Sequence, residues 1–383
     1  MRNALFFFIF FSGLTSFYGQ ELPPKEAYPL DIRQIHSGHS LTDPLFGQPW
    51  PGQFVNLISE LRGVWALDDI GKSTIPGSPM HWRWNNPPGH GAPDARHDIG
   101  DWELLVITER VALAYEGGND APWYQEEIQN QRDYLSRFVN NAWENGNGGN
   151  GAPTLLWTTW TNIDDSDGPW REMLDIQGEE WERMQDYANE NRPADAPHVY
   201  LIPGHKMMAQ LYDDIHEGIV PGIANINDFF SDNIHTNSLG DYAIAMIHYS
   251  CIFNTSPVGL TNDLMPDPPA GFQMPSPELA LYLQNMIWEV VTSYPRTGVV
   301  DETTNLVEHT PFSHEIKIYP NPVLDILFVK RKAENLQTKK SIYNNLGQLV
   351  FRGYENKIDM SQLPAGMYIL KLEGGYFMVQ KQK

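Results

Sequence analysis

Residues 31–43 read Asp31-Ile-Arg-Gln-Ile-His-Ser-Gly-His-Ser-Leu-Thr-Asp43, a short apolar run that passes straight into a turn carrying a serine. The run predicts a first buried strand over 31–35. Similar runs over 103–107, 153–157 and 199–202 predict further parallel strands, because strands covered on both faces read as continuous apolar stretches. Helical spacing fills the intervals. Phe54, Leu57, Ile58 and Leu61 share one helical face over 53–61, and Ile128, Tyr134, Leu135, Phe138, Val139 and Trp143 mark a helix over 124–143. Segments 179–188, 205–215 and 242–249 add three more. Strand and helix in alternation predict an α/β fold with a doubly wound parallel sheet. In such sheets reactive groups collect beyond the carboxyl ends of the strands. Gly38, two residues before Ser40, lets the turn tighten and present the serine hydroxyl there.

A second constellation stands near the far end of the same region: Ser231-Asp-Asn-Ile-His-Thr-Asn-Ser-Leu-Gly-Asp-Tyr242. Asp232 and His235, three residues apart in a polar loop, allow the carboxylate to accept from one imidazole nitrogen while the other faces outward as a base. Alone, an Asp-x-x-His serves equally as a helix-start cap, and a serine after a strand as a turn residue. A strand-one serine and a late Asp-x-x-His in one domain together point to nucleophilic acyl transfer.

This pair resembles the SGNH/GDSL hydrolase superfamily. Gly38-His-Ser-Leu-Thr42 is similar to its first block and Asp232 with His235 to its last. The resemblance implies a flavodoxin-like sheet, Ser40 as nucleophile, His235 as base and Asp232 as its orienting acid. It also implies an oxyanion hole made by the N–H groups of Ser40 and of Gly77, within Ser73-Thr-Ile-Pro-Gly-Ser-Pro79. Two positions depart from the family. His39 stands where an Asp is usual. The third strand ends Val106-Ile-Thr-Glu-Arg110, so Glu109 occupies the region of the expected Gly-x-Asn, and a carboxylate there would repel an oxyanion unless protonated. Asn119, in Gly117-Gly-Asn-Asp120, has the right letters several residues later. His39, Glu109 and Asn119 are therefore carried as additional candidates.

The expected activity is that of a secreted serine esterase acting on ester substrates, acetylated carbohydrates among them. The alternative is a non-catalytic glycan-binding protein on the same scaffold, and a third reading gives Glu109 an acid or base role in other chemistry. Trp157, Trp160, Trp170 and Trp181, with Trp82 and Trp84, are expected either to line a sugar cleft or to pack the core. Histidines around His81 and His97 show no metal-ligand spacing, so neither metal nor cofactor is expected.

The ends of the chain read differently. Residues 1–19 have the basic, apolar and small-residue layout of a secretory signal peptide. No other stretch is long and apolar enough for a stable membrane span. From residue 316 onward, alternating short strands predict a small immunoglobulin-like β-sandwich. There Tyr319-Pro-Asn-Pro322, Asn345-Leu-Gly-Gln348 and Ile358-Asp-Met-Ser-Gln-Leu-Pro-Ala-Gly-Met-Tyr368 resemble the C-terminal sorting domain of type IX secretion substrates of Bacteroidetes. That resemblance implies the type IX machinery as partner and a secreted or cell-surface location. The expected layout is signal peptide 1–19, hydrolase-like domain 20–302, linker 303–315 and sorting domain 316–383.

Charge separates the same regions. Residues 316–383 hold 11 Lys and Arg against 5 Asp and Glu, which leaves −28 on the remainder of a chain whose formal net charge is −22. Such acidity excludes nucleic acid as a partner, since phosphate binding needs a basic face. The single cysteine, Cys251, rules out an intramolecular disulfide and lies in an apolar run that predicts a buried thiol.

Overall fold

The computed structural model describes residues 22–47, 52–89, 91–113, 122–164, 169–265, 268, 271–301, 316–331, 340–344, 349–372 and 375–382. The signal peptide and linker expected at 1–19 and 303–315 lie outside them, as do Asn119 and the motif at 345–348. The chain divides into two compact units, one ending at Val300 and one beginning at Asp301.

The first unit is built on five parallel strands, β1 (Gln34–Gly38), β2 (Ile70–Thr74), β3 (Leu104–Ile107), β4 (Thr154–Thr158) and β5 (Tyr200–Pro203), in the order β2-β1-β3-β4-β5. This is the flavodoxin-like order of a doubly wound sheet. Successive side chains alternate between its faces. Leu104, Val106, Leu155, Trp157, Tyr200 and Ile202 enter one core, and Leu105, Ile107, Leu156 and Leu201 enter the other. On the first face pack α1 (Gln53–Arg62), α5 (Gly204–His216), α6 (Ser238–Phe253) and α7 (Pro277–Ser293); on the second, α2 (Met80–Asn85), α3 (Pro122–Asn145) and α4 (Pro169–Asn191). In α6 every residue but Asp241 is buried, as its apolar sequence requires. Cys251 lies within it, and burial pushes its thiol pKa up.

Two differences from the sequence reading, and one choice between its alternatives, matter for the site. β1 starts three residues later than predicted and runs to Gly38, because two polar residues sit inside it: His36 Nε2 meets Gln34 Oε1 at 2.9 Å, both side chains fully buried. β2 escapes an apolar-run search because Ile-Gly-Lys-Ser-Thr is an edge strand with only one large apolar residue. The tryptophans do not share a cleft. Trp157, Trp160 and Trp181 are fully buried and Trp170 is 3% exposed; Trp84 packs edge-on against Phe138, and only Trp82 of the six is exposed. Burying such large rings is worth more to the core than a solvated wall would be.

The second unit has β6 (Ile316–Tyr319), β7 (Ile326–Arg331), β8 (Lys340–Tyr343), β9 (Leu349–Gly353), β10 (Lys357–Asp359), β11 (Gly366–Leu372) and β12 (Gly375–Lys381). They form two antiparallel sheets, β10-β7-β6 and β12-β11-β8-β9. Tyr368, Leu370 and Leu372 of β11 point into a core with Leu327, Val329, Ile342, Ile358 and Val379, while Met367, Ile369 and Lys371 face out. That alternation is the mark of a sheet with one face buried, and the two sheets make the expected β-sandwich.

Candidate active site

β1 carries its last residues to the carboxyl edge of the sheet and hands them to the Ser40 turn. Both neighbours clamp this turn: Ile75 N–H donates to Gly38 O at 3.1 Å and Thr108 N–H to Ser37 O at 3.1 Å. Within it, Thr42 N–H donates to His39 O at 2.8 Å and Asp43 N–H to Ser40 O at 3.3 Å. Gly38 is required by space. A Cβ there would stand 1.9 Å from Thr42 Oγ1.

His39 is a structural neighbour of the serine. Its Nε2–H donates to Glu109 O at 2.8 Å, which leaves Nδ1 to accept from Leu41 N–H at 3.4 Å. Burial first, and then the Arg83 charge, hold it neutral with a pKa lowered to about 3. Glu109 is also buried. Its carboxylate accepts from Met80 N–H at 3.1 and 3.2 Å, at the start of α2, and from Arg110 N–H at 2.6 Å. Desolvation pushes that carboxyl up, against the pull of Arg83 and these two donors. Arg83 in turn donates to Ser78 O at 3.1 Å and to Thr108 O, so it ties the turn after β2 to the end of β3.

The Asp-x-x-His loop reaches the serine from the other side of the chain. Ser231 N–H donates to His235 O at 2.8 Å, and Phe230 bridges Thr236, so the loop closes on itself. The segment after β4 holds it in place: Trp160 Nε1–H donates to Ile234 O at 2.9 Å and Ile163 N–H to Asn233 O at 2.7 Å. No pattern in the sequence announces this role of Trp160. Just past the histidine, the Asn237 side chain caps α6 by accepting from the N–H groups of Leu239 and Gly240. Thr236 Oγ1–H donates to Asp241 Oδ1 at 2.6 Å, and burial pushes the Asp241 carboxyl up to about 7.

These supports bring three predicted residues into one chain of hydrogen bonds. Asp232 Oδ1 accepts from the backbone N–H groups of Ile234 and His235 at 2.8 and 2.7 Å, and Oδ2 meets His235 Nδ1 at 2.7 Å. His235 Nε2 meets Ser40 Oγ at 2.8 Å. Desolvation, the largest single effect, would raise the Asp232 carboxyl, but the N–H groups it accepts from together outweigh this and bring it down to about 2. An ionised acceptor at Nδ1 fixes the proton there and leaves the Nε2 lone pair facing the serine hydroxyl. Such an arrangement can remove the serine proton during attack on an electrophile.

Gly77 lies in the turn after β2, exposed and with φ +68, a conformation that favours glycine. The β1–β2 register pairs Gly38 with Thr74, so the turn stands at the same carboxyl edge as Ser40. Neither the Ser40 nor the Gly77 N–H has a hydrogen-bond partner among the described residues. Among the described residues no group of three His, Cys, Asp or Glu could hold a metal ion, and no helix is long and apolar enough to cross a membrane.

Residues 317–382 match the family described as the secretion system C-terminal sorting domain. A tail of this family indicates handling by the type IX secretion machinery and a surface or secreted location. No curated protein matches the chain. Among solved structures, a DUF4886 family protein from Bacteroides uniformis is similar at 14% identity and TM-score 0.43, over 72% of this chain and 98% of the other. A protein from Parabacteroides merdae assigned as a GDSL-like lipase is similar at 15% identity and TM-score 0.36, over 60% and 98%. An acetyl-xylooligosaccharide esterase from Geobacillus Stearmophilus is similar at 14% identity and TM-score 0.36, over 57% and 92%.

Proposed function

We propose that the chain is an exported serine hydrolase that cleaves carboxylic esters by acyl transfer, with acylated carbohydrate as its substrate class. Residues 1–19 would take it across the inner membrane as a signal peptide, and the C-terminal unit across the outer one. The observation that carries the catalytic reading is the pair of hydrogen bonds from Asp232 to His235 and from His235 to Ser40, at 2.7 and 2.8 Å.

In the first half-reaction Ser40 Oγ attacks the ester carbonyl carbon as its proton passes to His235 Nε2, and Asp232 stabilises the imidazolium that forms. The carbonyl oxygen becomes an oxyanion held by the N–H groups of Ser40 and Gly77. Collapse breaks the bond to the alcohol, which leaves with the proton from His235. Water then attacks the acyl-enzyme with the same base, releasing the acid and restoring Ser40. His39 and Glu109 touch no reacting atom in this scheme; they hold the serine turn and the end of β3.

The test is labelling and turnover by the full chain. A fluorophosphonate probe should label Ser40, and Ser40→Ala should lower p-nitrophenyl acetate hydrolysis by about 10³-fold or more. Absence of both labelling and Ser40-dependent turnover refutes the reading.

A further inference from the structure

Beside β2 runs a groove that the catalytic scheme does not use. β2 is the edge of the sheet and pairs only with β1. Along its open edge lies a space of about 840 Å³, lined by Ile70, Lys72 and Thr74 of the strand and by Ala92, Pro93 and Trp102. We infer that this groove is a subsite for a neutral polysaccharide chain that carries the scissile ester, an inference that rests on the hydrolase reading above.

Position is the first ground. The groove begins beside the serine turn, at Asp43 and Pro76. Thr74 Oγ1–H donates to Asp43 Oδ1 at 3.0 Å, and Asp43 N–H donates to Ser40 O, so the rim of the groove is the serine turn itself. Pro76, also on the rim, precedes Gly77. From there the groove follows β2 to its amino end and Leu67. Five residues at about 3.3 Å each make roughly 16 Å, a length that suits a chain better than a compact ligand.

Surface chemistry is the second. An edge strand leaves alternate N–H and C=O groups unpaired, and sugar hydroxyls both donate and accept. The Trp102 ring lies against the Gly71 backbone so closely that a Cβ there would come within 2.6 Å of it, and it gives the groove an aromatic wall for the C–H face of a pyranose.

Charge selects among chains. Lys72, the one cation on these walls among the described residues, is paired with Asp43 at 2.7 Å. Asp98 and Asp101 line the groove without a cation beside them on its walls. Uronate or sulfated chains would meet repulsion here, reinforced by the −28 carried by residues 1–315. Neutral chains meet none.

The experiment is calorimetric titration of the full-length Ser40→Ala protein with cellohexaose, xylohexaose and hexagalacturonate, repeated with Gly89→Trp added. Gly89 lines the groove, has no positive φ and has nothing within 4 Å of a Cβ, so a bulky indole can be added at the groove without straining the backbone. The inference expects at least one neutral hexasaccharide to bind, hexagalacturonate not to bind, and Gly89→Trp to weaken the neutral ligand about tenfold. In the protein with Ser40 intact, Gly89→Trp should lower p-nitrophenyl acetate kcat/KM far less than it lowers oligosaccharide affinity. Failure of both neutral ligands, preference for hexagalacturonate, or affinity untouched by Gly89→Trp overturns it. The two readings fail separately: Ser40-dependent turnover without oligosaccharide binding removes the groove alone, and binding without turnover removes the hydrolase.

Discussion

Replacing Gly38 by alanine should disable the Ser40 turn through space alone. The new Cβ would stand 1.9 Å from Thr42 Oγ1, 2.8 Å from Thr42 Cβ and 3.2 Å from Thr108 Cγ2. Rotating Thr42 moves its hydroxyl but leaves its Cβ in place. Ordinary carbon contact begins at about 3.5 Å, so the Thr42 backbone must retreat by roughly 0.7 Å. Thr42 and Ser40 belong to one turn, closed by the Thr42 N–H bond to His39 O, so the displacement passes to Ser40 Oγ and its 2.8 Å bond to His235. A misplacement near 1 Å costs on the order of 10²-fold in rate. The expected result is a fall of about 30- to 100-fold in kcat for p-nitrophenyl acetate with little change in KM. Overpacking should also destabilise the domain by about 1–3 kcal/mol, read from thermal or urea unfolding. Adding Thr42→Gly removes the two nearest obstructing atoms and should return most of the lost rate. Full activity in Gly38→Ala, or no recovery in the double variant, would refute the account of the turn.

Two further outcomes follow from the loop that carries the histidine. Asp232→Asn keeps the shape but offers Nδ1 an amide in place of an ionised acceptor, so the imidazole loses its fixed tautomer; kcat should drop about 10³- to 10⁴-fold, and a drop below tenfold would remove Asp232 from the scheme. Asp241 has a folded-state carboxyl pKa raised to about 7 from a usual 3.8, so the folded state holds its proton more firmly than the unfolded one. Its contribution is then fully present below pH 3.8 and is lost as pH rises through about 7. Asp241→Asn should therefore gain in melting temperature relative to the parent between pH 4 and pH 7; parallel melting curves across that window would contradict it.

Much of this architecture is written in short-range pattern. The apolar runs that became β3, β4 and β5 are nearly continuous and lie within one or two residues of their predicted places. The spacing of Asp232 and His235 is local, so it was legible without knowing the fold. What pattern could not give depends on partners distant in sequence. β2 is polar because an edge strand needs little apolar surface. His36 falls beyond the predicted strand, yet β1 runs through it and buries it against Gln34. α2 is six residues long and begins where the Glu109 carboxylate, 29 positions away, accepts from its first N–H. Trp160 reads equally well as a sugar platform or as core; only its bond to the Ile234 carbonyl identifies it as a support for the histidine loop.

The two departures from the SGNH-like pattern, His39 and Glu109, turn out to be neighbours in one network. Glu109 holds the start of α2 with its carboxylate and receives the His39 proton on its carbonyl. An aspartate at 39 would bring a buried acid up to the Glu109 carbonyl, where it has no proton to donate unless it stays neutral. A neutral histidine meets the same space with a donor, and its second nitrogen accepts the N–H that follows the nucleophile. The acid at the end of β3 and the base before the serine therefore meet through the Glu109 main chain, while the Glu109 side chain turns to α2. Each departure looks disabling when taken singly. Together they leave Ser40 with its bond to His235 and with its own N–H free of a partner among the described residues.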